Sequence, residues 1–293
     1  MPIFTAPDGT PLAHHVRGEG EPLVVLPGGP MRASEYLGDL GGLTAHRRLV
    51  LLDLRGTGDS SVPADPATYR CDRQVEDVEA LRIHLGLERM DLLAHSAGGS
   101  LAMLYAARHP RRVARLVLVT AAPWALGRPA GPEERLAAAR LRQDEPWFTT
   151  AFPAFEAWTA GGEDTGFTAV DLTAVDAFFY GRWDDTARAH AAAADGQTNE
   201  EAEARFHDPA AYDPPALRAA LGCVDAPVLV LAGELDGGPR PEVARLVADA
   251  FPNADFAVQP GAAHYPWLDD PAWFTARVEA FLAGGGSPPA AAG

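Results

Sequence analysis

Lysine is absent from all 293 residues, so the 24 basic side chains are all arginine, and 40 acidic ones leave a formal charge of −16. That absence excludes a Schiff-base lysine, a pyridoxal-phosphate anchor and a phosphate-loop lysine. No run of five arginines offsets the acidic balance, so nucleic acid and anionic membrane surfaces are excluded as main partners, since either would repel the chain. Cysteine is scarce: Cys71 and Cys223 are too few for a disulfide framework and lack the spacing of a metal site. No apolar stretch reaches the roughly 18 residues that span a bilayer. The N-terminus, MPIFTAPDGTPLAHH, has no basic start followed by an apolar run, so no signal peptide is expected there. Glycine (29) and proline (26) stay below the level that marks low complexity, and there is no internal repeat. The expectation is a cytoplasmic protein of ordinary globular composition. Its oligomeric state is left open.

What is present has a rhythm. Short apolar runs at Pro22–Leu26, Arg48–Leu54, Met90–Ala94, Ala114–Val119, Pro227–Ala232 and Phe256–Gln259 read as strands. Most are continuous in Val and Leu, as strands buried on both faces should be. Between them lie amphipathic stretches. In Gln74–Leu87, Val75, Val78, Leu81 and Leu85 recur at helical spacing, as do Phe274, Val278, Phe281 and Leu282 in Pro271–Ala283. The alternation predicts a mostly parallel α/β sheet with helices on both faces.

The rhythm breaks after Ala121. From about Pro123 to Leu221 no strand pattern appears, while Glu133–Arg142, Asp171–Phe179 and Asp185–Ala194 read as helical and aromatics are dense. This predicts a core made of 1–121 and 222–284, a helical cap at 122–221 folded over it, and a disordered tail at 285–293. Most of the cap aromatics are expected to form the cap's own core.

The sharpest chemical signal is Leu92-Leu93-Ala94-His95-Ser96-Ala97-Gly98-Gly99, where a strand ends and a helix begins. A turn this tight needs small residues two positions either side of the serine, here Ala94 and Gly98. It exposes the hydroxyl at a helix N-terminus, whose partial positive charge favours an oxyanion. A serine hydroxyl is a weak nucleophile near neutral pH, so it needs a base, and the base needs an orienting acid. Asp236 follows the strand Pro227–Ala232, and His264 follows Phe256–Gln259, 28 residues further on. That interval fits one strand–helix–strand crossover, and serine, acid, histidine is the chain order of the nucleophile-elbow fold. Glu234 is a rival acid, but Asp236 sits further out on its loop. His95, beside the nucleophile, is expected to be structural. Leu26-Pro27-Gly28-Gly29-Pro30 ends an early strand, and the amides of Gly29 and Ala97 would form a two-donor oxyanion hole. Asp53-Leu54-Arg55-Gly56-Thr57-Gly58-Asp59-Ser60 does not have the glycine spacing of a nucleotide loop and is expected to brace the site.

The order PGGP, DLRGTGDS, AHSAGG, GELD and GAAHYPWLDDP resembles the α/β-hydrolase superfamily, in particular its proline-iminopeptidase-like branch. The resemblance covers about 1–121 and 222–284. It implies an α/β-hydrolase fold with Ser96 as nucleophile, Asp236 as acid, His264 as base, and the amides of Gly29 and Ala97 as oxyanion hole. It implies no cofactor and no metal. Three positions depart from the branch: Pro27 replaces its histidine, Ala94 the elbow glycine, and Ala97 an aromatic residue. An aminopeptidase also binds a substrate ammonium, for which Glu156, Asp184 and Asp185 in the cap are available. Trp124, Glu156, Tyr180, Trp183 and Tyr265 are the candidate substrate contacts. The reading is therefore a serine hydrolase of a small-molecule or short-peptide substrate, with N-terminal prolyl peptides as first choice. An esterase, lactonase or thioesterase of secondary metabolism is the alternative, and a ligand receptor or non-hydrolytic lyase or cyclase is the alternative of another class.

Overall fold

The computed structural model describes residues 2–129, 131–161 and 173–284. The expected tail at 285–293 lies outside the described residues, as do Asp171 and Leu172 of the expected 171–179 helix.

Among the described residues eight strands form one sheet: β1 (Ile3–Thr5), β2 (Pro11–Arg17), β3 (Pro22–Leu26), β4 (Arg48–Leu52), β5 (Met90–His95), β6 (Val113–Val119), β7 (Val228–Gly233) and β8 (Ala254–Gln259). Their spatial order is β1-β2-β4-β3-β5-β6-β7-β8. β3 pairs parallel with β4 and β5, and the parallel ladder continues through β6, β7 and β8. β1 and β2 are antiparallel additions at one edge. The six strands expected from apolar runs are all present, but β1 and β2 are not foreshadowed by such a run. β2 is PLAHHVR, in which two histidines interrupt the apolar pattern and only the middle is buried.

The central strands are apolar on both faces because each face is covered. Val24, Leu26, Val50, Leu92, Leu116 and Val230 point into one core with Val75, Val78, Leu101 and Tyr105. The latter come from α1 (Val75–His84) and α2 (Gly98–Arg108). The alternate residues Leu23, Val25, Leu51, Leu93, Val117 and Leu231 meet Trp267, Phe274 and Val278 on the other side. Each such side chain contributes about 1.5–3 kcal/mol by leaving water, so the alternation pins the register.

Between β6 and β7 the regular elements among the described residues are helical: α3 (Pro132–Arg140), α4 (Phe148–Thr159), a 3₁₀ turn at Ala174–Phe179, α5 (Asp185–Ala192), α6 (Ala194–Gln197), α7 (Glu200–Phe206), a 3₁₀ turn at Pro209–Ala211 and α8 (Pro214–Leu221). α9 (Pro241–Ala248), α10 (Pro266–Asp269) and α11 (Pro271–Leu282) follow β7 and β8. Phe155, Phe178, Val175, Ala151 and Ala139 form a separate small core with Trp147, Phe148, Phe152 and Phe179 packed against it. No helix among the described residues is long and apolar enough to cross a membrane.

Candidate active site

Three loops at the C-terminal edge of the parallel sheet converge. β5 ends at His95, Ser96 has φ +52°, and α2 starts two residues later. A positive φ is strained for a side-chain-bearing residue, of order 1–3 kcal/mol, and is held only where the surroundings over-determine it. Those surroundings are tight. A Cβ on Gly98 would lie 2.4 Å from the carbonyl oxygen of Pro27, and one on Gly28 would lie 2.8 Å from Cβ of Ser96. Both glycines are therefore demanded by close backbone approach, and they lock the PGGP loop against the serine turn.

His264 Nε2 lies 2.9 Å from Ser96 Oγ, and its Nδ1 lies 2.9 Å from Asp236 Oδ2. A carboxylate accepts, so Nδ1 carries the proton and Nε2 is left to accept from the serine hydroxyl. The other Asp236 oxygen accepts from the amide of Gly238, and the residue is fully buried. Glu234, the rival acid, is exposed and accepts from the amide of Gly261 instead. The His264 loop is held from both sides: its amide donates to the carbonyl of Phe179, and its carbonyl accepts from His95 Nε2 and Thr120 Oγ1. Buried Asp269 accepts from the amides of Ala263, Gly181 and Arg182, joining the histidine loop to the helical segment.

Ser96 and His264 open onto a cavity of about 320 Å³, which Gly29 and Ala97 also line. Its walls are Phe155, Trp158, Phe178, Phe179 and Trp124, with Arg135, Glu203 and His207 as the ionisable groups. A family model described as the alpha/beta hydrolase fold matches residues 21–271. The chain belongs to the α/β-hydrolase fold family.

Named relatives differ in what their names say they act on. A proline iminopeptidase from Lactobacillus helveticus is 42% identical over 106 residues, 35% of this chain and 36% of that protein. That match therefore spans about a third of the relative's length. A proline iminopeptidase from Levilactobacillus brevis is 28% identical over 274 residues, 89% of this chain and 88% of that one. A solved esterase from a Rhodococcus species superposes with TM-score 0.69 at 26% identity, over 97% of this chain and 99% of that one.

This α/β-hydrolase brings Ser96, Asp236, His264, Gly29 and Ala97 together, with Trp124 in the cavity wall. Glu156, Tyr180, Trp183 and Tyr265 are not among the residues lining that cavity. Glu156 is exposed on α4, while its neighbour Phe155 turns inward. Tyr180 is buried outside the cavity wall, hydrogen-bonded to His190 Nδ1 at 2.7 Å and stacked on Tyr265. Trp183 packs on Tyr180. Asp184 and Asp185 are exposed at the start of α5, where Asp184 caps the amide of Ala187.

Glu203, Arg135 and His207 line the cavity yet carry no sequence signal, because they lie on helices, or just past the end of one, whose facing only the assembled structure defines. Glu203 is exposed, and partial desolvation together with the neighbouring Glu200 pushes its carboxyl up from its ordinary range. Burial lowers His207 to about 4, so near neutral pH its ring is uncharged; it stacks on Trp124 with 4.8 Å between centroids. The DLRGTGDS loop is a brace: Asp53 accepts from the amides of Ser34 and Asp59, from Ser34 Oγ and from His15. His15, Asp53 and Asp59 also form a grouping of metal-ligating type, but those contacts already occupy Asp53.

Proposed function

We propose that this α/β-hydrolase is a serine hydrolase that cleaves a small ester or amide through an acyl-enzyme. The observation that supports it most is the relay Ser96 Oγ–His264 Nε2–His264 Nδ1–Asp236 Oδ2, with 2.9 Å at both hydrogen bonds. His264 takes the serine proton as Ser96 attacks the carbonyl, and the oxyanion rests on the amides of Gly29 and Ala97. His264 then protonates the leaving group and activates the water that releases the acyl group. Asp236 holds the imidazole tautomer and stabilises its charged form. Segment 122–221 acts as the cap, and its aromatic side chains receive the apolar part of a small-molecule substrate.

Prolyl aminopeptidase activity is a second reading. It draws on the likeness to the Lactobacillus and Levilactobacillus proteins and on Glu203, a cavity carboxylate able to meet an ammonium. The likeness to the Rhodococcus esterase favours ester substrates instead. Two measurements test these readings. A fluorophosphonate should label folded protein at Ser96, and absence of labelling rejects the serine mechanism. Turnover of acetyl and butyryl nitrophenyl esters with none of prolyl anilides rejects the peptidase.

A further inference from the structure

Arg135 differs from the buried arginines of the chain. Arg55 pairs with Asp77 and Asp8, Arg82 with Glu79, and Arg142 donates to the carbonyls of Tyr180 and Gly181. Arg135 is half-buried and lines the cavity at Ser96, but among the described residues its guanidinium makes no hydrogen bond and no ion pair. Its one contact of note is with an aromatic face: the guanidinium carbon stands 4.9 Å from the centroid of Trp158. Asp236, whose charge favours the arginine cation, is engaged with His264 and Gly238. Glu203 shares the cavity without pairing with it.

A guanidinium carries five N–H donors in a planar fork that matches a carboxylate two bonds at a time. Among the described residues no protein acceptor meets those donors, and stacking on Trp158 satisfies none of them, so they are free for a ligand in the cavity. Its backbone passes beside the loop that carries Asp236, since a Cβ on Gly237 would lie 3.4 Å from Cα of Arg135. The apolar walls Phe155, Phe178 and Phe179 bound the same space.

We propose that Arg135 receives a carboxylate of the substrate, so that the cavity takes an ester or amide with an apolar body and a free acid group. This rests on the serine-hydrolase reading but not on the prolyl one. The test separates binding from turnover. In Ser96→Ala protein, calorimetry compares 4-phenylbutyrate with the neutral 4-phenylbutyramide, alone and with Arg135→Gln or Arg135→Lys added. The carboxylate should bind at least tenfold more tightly than the amide. Arg135→Gln should erase that ratio, and Arg135→Lys, which keeps the charge and loses the fork, should retain part of it. Equal binding of the two ligands overturns the proposal, as does a ratio that neither substitution moves. Should Arg135→Gln fail to melt cooperatively, the Arg135→Lys ratio decides alone: reduced supports the proposal, unchanged overturns it. Fluorophosphonate labelling of the unsubstituted protein keeps the two readings apart. Labelling at Ser96 without carboxylate preference rejects the Arg135 role only, and Arg135-dependent binding without labelling rejects the hydrolase only.

Discussion

Tyr36 Oη lies 2.7 Å from His95 Nδ1, and this contact ties the PGGP loop to the strand that delivers Ser96. The proton positions follow from the partners. His95 Nε2 faces the carbonyl of His264 at 2.9 Å and must donate to it, so Nδ1 accepts and the tyrosine hydroxyl donates. The same Tyr36 oxygen accepts from the amide of Gly28 at 2.7 Å. Burial and the positive field of neighbouring groups hold His95 well below its ordinary range, so it stays neutral and the chain of donors keeps one direction. Gly28, Tyr36, His95 and His264 are thus linked head to tail beneath the candidate nucleophile.

Tyr36→Phe should therefore act on chemistry more than on binding. It leaves the Gly28 amide and His95 Nδ1 buried without partners, each costing about 1–3 kcal/mol. A fall in kcat of about tenfold or more is expected, with KM changed far less. Steady-state kinetics on a nitrophenyl ester checks it, and a lowered melting temperature with unchanged kcat would assign Tyr36 a purely structural role.

Asp236→Asn should lower kcat by about 10⁴, because an amide in place of the carboxylate favours the wrong imidazole tautomer. Ser96→Ala should remove covalent labelling altogether. A value of kcat for Asp236→Asn within tenfold of the parent would show that the 2.9 Å contact to His264 does not serve the reaction.

Gly98→Ala should destabilise the fold by about 1–3 kcal/mol, since its Cβ would meet the Pro27 carbonyl at 2.4 Å and backbone must move to admit it. Gly196→Ala is the control: it lies in α6 with nothing within 4 Å of its added Cβ, so it should be neutral or stabilise by up to about 1 kcal/mol. Urea unfolding of both variants decides, and equal stabilities would refute the tight-turn argument.

Acid should weaken the protein through its buried histidines. His14 is lowered to about 4 by burial and by nearby positive charge, and neither of its ring nitrogens has a hydrogen-bond partner among the described residues. His190 is likewise lowered to about 4. The unfolded chain binds these protons near pH 6.5, the folded chain only near 4, so stability is full above 6.5 and declines as pH falls toward 4. His14→Leu should flatten that decline and raise the melting temperature at pH 5. Thermal scans from pH 7.5 to 4.5 measure it, and parallel curves for the two proteins would exclude His14 as a contributor.

What could be read from the residue order was whatever depends on a local demand of the backbone. A doubly buried strand is mostly apolar, so β3 to β7 stand out as runs, while the half-buried edge strand β8 shows only in Phe256–Gln259. A serine turn between strand and helix needs small neighbours, so Ala94, Ser96 and Gly98 mark their own geometry. Asp236 and His264 are each placed by the end of a strand, and strand ends of a parallel sheet share one edge. β2 has no such mark because His14 and His15 break its pattern and Pro11 and Val16 are exposed.

The cavity wall had no such marker. A helix shows its apolar side through periodicity, but periodicity does not say which side faces the serine and which faces its own small core. Phe155 and Phe178 do both, while Tyr180 and Tyr265 stack on each other outside the wall. Arg135 and the pair Glu203 and His207 sit on segments tens of residues apart, and only packing against the sheet brings them to one space. The sequence by itself determined the sheet, the elbow and the order of serine, acid and histidine, because these are local or strand-end properties. The tertiary structure alone decided which charges face the substrate, because that depends on the angle at which distant helices settle on the core.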